Sequence, residues 1–271
     1  MIQTRLLAAL CGALCAAYGA TASAQTAAEG IAKYRKLLGD GSNPAELWEA
    51  RGEDLWKQKR GPNKVSLEKC DLGKGPGVVK GAYAELPRWF ADAGQVMDLE
   101  TRLLHCMVTL QGFTKNDATK RVFGGGRDKR SDFESLAGYI TAESRGVKMN
   151  VALNHPKEKE AFHIGEKLFF FRSGPHDFGC VTCHGESGKR IRLQDLPNLT
   201  ERSDAQRAYT TWPAYRVSQG ELRTFQWRLN DCYRQQRFPN LTFGSEASVA
   251  LTMYLAHNAN GAAFDAPTLK R

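Results

Sequence analysis

A mainly helical chain, built as two tandem units of one kind, is the fold the sequence predicts, and three observations predict it. Apolar residues recur at helical spacing in stretches spread over both halves. One such stretch runs into Cys180-Val181-Thr182-Cys183-His184, a C-x-x-C-H. A segment of the first half also returns in the second: Arg102-Leu103-x-x-Cys106 is matched by Arg228-Leu229-x-x-Cys232. A Leu-Pro pair (Leu86-Pro87, Leu196-Pro197) and a cysteine (Cys70, Cys183) precede each copy. The period is too long for a solenoid and fits a duplicated unit.

The C-x-x-C-H identifies the unit. Two thiols three positions apart can each add to one vinyl group of a haem, and the histidine that follows is placed as the proximal iron ligand. Cys180 and Cys183 are therefore the expected attachment points of one haem c, with His184 as ligand. A zinc site would want a second cysteine pair at similar spacing, and there is none. A thioredoxin-like pair would want a βαβ setting that the flanks do not supply. A helix leading into C-x-x-C-H, closed by a last helix that crosses the first, is the plan of a small c-type cytochrome. The fold class expected is therefore mainly α, two tandem cytochrome c-like domains, the first without haem: residues 25–150 lack any C-x-x-C, and Cys70 is followed by Asp71 rather than His. Residues 151–271 form the haem-binding domain, with an enlarged insert before its last helix.

The elements follow in order. Residues 1–24 read as an export signal, with Arg5 ahead of an apolar run and Ala22-Ser23-Ala24 as a small-residue cleavage site. The run is too short and wrongly flanked for a membrane span, and no later stretch is long and apolar enough to be one. Thr26 to Leu38 reads as an amphipathic helix through Ile31, Tyr34 and Leu37–Leu38. Gly39 to Pro44 is a turn cluster. A second helix starts at Pro44, with Leu47, Trp48, Leu55 and Trp56 as its apolar stripe; these tryptophans are expected in the core. Gly73 to Gly81 is a glycine-rich loop without the strand-loop-helix setting or lysine-serine ending of a phosphate loop. Asp98 to Gln111 and Asp132 to Arg145 are helices, with a flexible break at Gly124-Gly125-Gly126 between them. Residues 146–155 are the expected boundary. Glu158 to Phe170 and Glu246 to His257 are the first and last helices of the haem unit.

Composition narrows the function. The hydrophobic share of 42% and charged share of 25% are ordinary for a globular chain. The net charge is +9, or +8 once Arg5 is removed. In an exported chain with no nucleic-acid motif, such a surface is expected to attract an anionic substrate or acidic partner, and nucleic acid is not expected. Export places the chain in the oxidising periplasm, where structural thiols pair. Of the mature cysteines, Cys180 and Cys183 go to haem and Cys70 can pair with Cys106, a disulfide in place of the first haem. That leaves Cys232.

Cys232 bears on the second axial position. No Met or His lies between Gly185 and Thr252. Met253 and His257 are on the closing helix, and His163 and His176 precede the motif. Cys232 is the one good ligand in the insert, against the alternative of an inert buried thiol. Arg228 lies one helical turn before it on the same face, and Arg234 and Arg237 follow. Guanidinium favours a thiolate and clamps tetrahedral oxyanions. These arginines could equally be surface charges or partners of haem propionates.

The residues Trp212-Pro213-Ala214-Tyr215-Arg216, Leu222 and Arg228-x-x-x-Cys232-x-x-Gln235-x-Arg237 resemble the SoxA family, subunits of the SoxAX cytochromes of bacterial thiosulfate oxidation. The resemblance covers most of the mature chain and is closest to the single-haem members, in which a disulfide replaces the first haem. It implies an L-cysteine S-thiosulfotransferase that joins thiosulfate to a cysteine of the SoxYZ carrier protein and releases two electrons. Those electrons pass to a SoxX-type monohaem cytochrome c and onward to soluble cytochrome c. It implies that Cys232 is the catalytic cysteine and a haem ligand, found as a persulfide, that Arg228 binds substrate, and that Arg237 is the second arginine of the signature. A plain electron-transfer cytochrome, a thiosulfate dehydrogenase forming tetrathionate, and a docking subunit with catalysis at an interface are the competing readings.

Overall fold

The computed structural model describes residues 27–38, 43–125, 130–191 and 194–271. The expected export signal, most of the turn at 39–44 and part of the Gly124–Gly126 break lie outside the described residues. The chain is mainly helical, as its apolar periodicity predicts.

Helices α1 (Ala27–Leu38) and α2 (Glu46–Lys57) open it. The Asn43 carboxamide accepts from the Ala45 amide at the start of α2. Trp48, Leu55 and Trp56 are buried, whereas Leu47, counted in the same stripe, is 59% exposed. The glycine-rich loop folds around its own aspartate: Asp71 Oδ1 accepts from the Gly73 and Gly75 amides at 2.6 and 2.9 Å. That pairing uses the donors a phosphate would need and agrees with the loop reading. A short hairpin, β1 (Arg88–Phe90) with β2 (Gln95–Met97), leads into α3 (Leu99–Thr109), whose first turn is capped by Asp98. Then come α4 (Lys115–Thr119) and α5 (Asp132–Ala142). Cys70 and Cys106 are joined as a disulfide, which ties the loop to α3.

The second half opens with α6 (Pro156–Phe170), started two residues before the predicted Glu158 by Pro156 at its first position. The short α7 (Cys180–His184) carries the C-x-x-C-H. A two-residue ladder, β3 (Arg190–Ile191) with β4 (Gln194–Asp195), precedes α8 (Arg202–Tyr209). The hairpin β5 (Ala214–Arg216) and β6 (Glu221–Arg223) leads into α9 (Phe225–Gln236), and α10 (Glu246–Asn258) follows. The last strand, β7 (Thr268–Lys270), pairs parallel to β5, so that Arg216 stands beside Lys270.

The duplication is visible at one constant offset. Each hairpin follows a cis X-Pro bond, Leu86-Pro87 and Trp212-Pro213, 126 positions apart. The structural counterpart of Leu86-Pro87 is therefore Trp212-Pro213, not the Leu196-Pro197 pair that similarity of letters selected. From there β1, β2 and α3 map without a gap onto β5, β6 and α9. The helix crossings repeat as well. In the first half α2 crosses α5 at Gly52, where an added Cβ would lie 2.0 Å from the Ser135 carbonyl oxygen. In the second α6 crosses α10 at Gly165, 2.0 Å from the Ala250 oxygen. Neither position has room for a side chain.

The halves meet reciprocally. Tyr83 and Tyr209, equivalent residues, stack with their hydroxyls 3.5 Å apart. Gln226 on α9 donates to the Asp98 cap of α3 at 2.6 Å, and Thr224, the cap of α9, hydrogen-bonds Glu100 on α3. Residue i meeting j and j meeting i is the pattern of a self-complementary interface. One apolar cluster runs through both halves.

Candidate functional site

Helix α7, the end of α6, α8, β5, α9 and β7 enclose a cavity of about 550 Å³. The local chain explains how each group reaches it. Ser173 and Phe178 pair back on each other to turn the chain after α6. The Gly179 amide donates to the Thr182 hydroxyl at 3.0 Å, which starts α7 and sets Cys180, with Cys183 and His184 one turn later, against the cavity. His184 Nδ1 is 2.8 Å from the Pro197 carbonyl oxygen. That contact fixes the ring as an Nδ1–H donor and leaves Nε2 as the free ligand nitrogen. Burial holds the His184 pKa below its ordinary value, so the ring stays neutral, as ligation requires. Leu196-Pro197 thus orients the His184 ring.

On the opposite wall, Thr224 caps α9 by accepting from the Trp227 amide. Residues three and four apart on this helix share a face, which brings Arg228, Cys232 and Gln235 to the cavity together. Asp231, buried on the same helix, takes Arg234 at 2.7 Å, Gln235 at 2.7 Å and Arg228 at 3.4 Å. Burial pushes the Cys232 thiol pKa up; Arg228 and then Arg216 pull it down, while Asp231 adds to burial. The neighbouring arginines thus pull toward the thiolate, as expected, against a larger opposing effect of burial. Cys180 is pushed up to about 12 by burial.

The structure brings Cys180, Cys183, His184, Cys232 and Arg228 to one cavity. It does not bring Arg237 there: the residue is exposed, in a left-handed conformation that ends α9, and is not among the cavity's lining residues. Met253 is fully buried, His257 Nδ1 is held by the Val151 carbonyl oxygen, and His163 is exposed beside Glu166. None of these lines the cavity, so among its described lining residues the imidazole and thiol groups are those of His184, Cys232 and the C-x-x-C pair. Sequence reasoning missed Arg216 and Lys270, which also line it. Arg216 lay inside a quoted motif without a role, and Lys270 gave no signal, because strand pairing across more than fifty residues brings it in.

The donor set fits a c-type haem. Two thiols, an imidazole with a free Nε2 and a further thiol line the cavity, together with the apolar side chains of Phe169, Phe225, Leu229 and Leu255. Among the described residues no group of three or more His, Cys, Asp or Glu is placed to hold a bare metal ion. No described helix is long and apolar enough to cross a membrane.

Residues 51–149 match the family model described as SoxA/TsdA, cytochrome c domain, so the match falls on the half that has no C-x-x-C-H. The chain is 49% identical over 241 residues to the L-cysteine S-thiosulfotransferase subunit SoxA of Hydrogenophilus thermoluteolus, covering 89% of this chain and 87% of that one. It is 34% identical over 256 residues to a protein of the same name from Hydrogenobacter thermophilus, covering 93% and 92%. The crystal structure of SoxXA from P. pantotrophus is similar to it with a TM-score of 0.71 at 25% identity, covering 88% of this chain and 84% of that one.

Proposed function

This chain belongs to the SoxA family of L-cysteine S-thiosulfotransferase subunits, and from that premise we propose how its residues divide the work. The protein acts in the periplasm as a single-haem SoxA, two tandem cytochrome c-like domains of which only residues 151–271 carry haem c. It pairs with a SoxX-type monohaem cytochrome c and conjugates thiosulfate to a cysteine of a SoxYZ carrier. The observation that carries this reading is the meeting of His184, Cys232 and Arg228 in one cavity with the attachment cysteines.

The reaction joins the outer sulfur of thiosulfate to the carrier's thiol sulfur. The carrier S–H bond breaks, one S–S bond forms, and one proton and two electrons leave, so that a dianion and a thiol give a monoanionic S-thiosulfonate. The electrons go to the partner cytochrome and then to soluble cytochrome c. Cys180 and Cys183 would hold the haem by thioethers, with His184 and Cys232 as its ligands. When bound there, the haem would supply a one-electron oxidant, and Cys232 would serve it as a deprotonated ligand. Arg228 binds the sulfonate end of thiosulfate and screens its charge from the Cys232 sulfur. Asp231 holds Arg228 from one side at 3.4 Å, long enough to leave most of its donors for substrate. The apolar walls exclude water, which strengthens each of these interactions. Arg237, exposed at the end of α9, is assigned no contact with substrate.

The test is cytochrome reduction dependent on thiosulfate and carrier, with Cys232→Ala beside wild type and haem content measured in both. Retained haem with lost turnover is the expected result. Full turnover in the variant would reduce Cys232 to a ligand and the protein to an electron carrier. Turnover without the carrier would point to tetrathionate formation.

A further inference from the structure

The duplicated frame supplies an internal comparison for Arg228. Its counterpart in the first half, at the constant offset, is Arg102. Arg102 is buried and fully answered: Nη1 contacts both carboxylate oxygens of Asp92 at 2.9 and 2.8 Å, and Nε donates to the Asp71 carbonyl at 2.7 Å. Its guanidinium lies 4.1 Å over the Phe90 ring. The same offset turns Phe90 into Arg216 and Asp92 into Ser218. In the second half, then, the stacking ring has become another cation and the balancing carboxylate has become a hydroxyl.

A third cation joins them. Lys270 stands beside Arg216 in the parallel pairing of β7 with β5, with its ammonium 5.6 Å from the Trp212 ring centroid. The first half has no strand equivalent to β7 among its described residues. Arg216 Nε is buried with no hydrogen-bond partner. Among the described residues neither Arg216 nor Lys270 forms an ion pair. Burial, then Arg216 and Arg228, push Lys270 down to about 8 against a weaker pull from Asp265, and burial and Arg228 lower Arg216 against Asp231. Like charges gathered in a cavity with few counter-ions mark a place for an anion supplied from outside.

We propose that Arg216 and Lys270 complete, with Arg228, a three-cation cradle for the sulfonate end of the substrate beside Cys232. The proposal rests on the thiosulfate reading above and extends it to two residues that reading does not use. The occupant is the tetrahedral dianion rather than a cofactor carboxylate, because Arg228 stands one helical turn before Cys232 on α9 and lines the same cavity as Arg216, Lys270 and the Cys232 sulfur. The cradle therefore lies at the reacting end of the cavity.

The experiment uses the holoprotein with its partner cytochrome and carrier, with thiosulfate varied and haem content read from the absorption spectrum. Lys270→Gln and Arg216→Gln should each raise KM for thiosulfate about tenfold or more, with a smaller fall in kcat, as loss of a charge-assisted contact predicts. Lys270→Arg should return KM toward wild type. Sulfate, a tetrahedral dianion without the outer sulfur, should compete with thiosulfate in the wild type and compete poorly in both glutamine variants. Unchanged KM and sulfate competition in both variants would overturn the cradle. Loss of haem from either variant would also overturn it, assigning these cations to the cofactor's carboxylates. A wild type that does not use thiosulfate removes the underlying reading, whereas an active wild type with unaltered variants removes only the cradle.

Discussion

Arg102 and Arg228 hold equivalent positions of the repeated segment in two surroundings, and the difference predicts two different losses. Arg102 is 3% exposed and spends its donors on Asp92 and Asp71. Arg102→Ala should cost stability, about 2–3 kcal/mol from lost charge-assisted hydrogen bonds, seen as a lower denaturant midpoint. Kinetics of the folded variant should be unchanged. Arg228→Ala should do the reverse: a large rise in KM for thiosulfate with haem and midpoint nearly kept. If both substitutions act on the midpoint alone, the division of roles between the halves is wrong. At this scale the sequence was most legible. C-x-x-C-H states its chemistry in five letters, and Arg228 and Cys232 declare a common face by their spacing. Arg237 entered through the family signature alone; it follows the end of α9 at Gln236 and does not line the cavity.

The elements were legible where a periodic apolar face is long enough to count. Residues 98–111, 132–145, 158–170 and 246–257 all read correctly as helical to within a few residues. The hairpins were missed because strands of three residues are too short to display alternation. Helix α8 was missed because its sequence, Arg202–Tyr209, is mostly polar and buries only Ala205 and Tyr209. The glycines at the helix crossings were not legible as points of backbone contact, because a glycine inside a helical stretch does not announce what packs against it. The structure gives Gly165 a measurable role. A methyl at Gly165 would meet the Ala250 carbonyl at 2.0 Å and the Tyr254 Cβ at 2.9 Å, and backbone on a packed helix cannot yield cheaply. Gly165→Ala should push α6 from α10 and cost roughly 1–3 kcal/mol or more. Because α6 ends beside the cavity, haem incorporation during maturation should fall with it. A variant with wild-type melting temperature and haem yield would show that the crossing can relax.

At the scale of the molecule, the halves are held together by a reciprocal polar contact that the sequence concealed, since nothing in Asp98, Glu100, Thr224 or Gln226 announces a partner so far along the chain. The exchange is symmetric in position but not in chemistry. One half contributes two carboxyls and the other a hydroxyl and an amide. Glu100 is 3% exposed, with Oε1 unpartnered, and burial followed by the nearby Asp98 carboxylate raises its pKa well above the ordinary 4.5. The consequence for stability follows from proton counting. Above pH 4.5 the unfolded chain releases the Glu100 proton while the folded chain keeps it. The folded state then binds more protons, and stability falls as the pH rises. Protonated Glu100 contributes fully below its unfolded pKa, and the contribution is lost through neutral pH as the buried carboxyl is forced to ionise. Glu100→Gln places at this position the residue its counterpart Gln226 already is, keeps a hydrogen-bonding amide toward Thr224, and removes the titration. The variant should therefore be more stable than wild type at about pH 8, by roughly 1–3 kcal/mol, and close to it at about pH 5, where both side chains are neutral. Melting temperatures across that range decide it. Wild type should lose stability toward alkaline pH with a slope that the variant flattens, and parallel curves would mean that Glu100 is ionised in the folded protein and that the buried contact between the halves is an anion site rather than a protonated one.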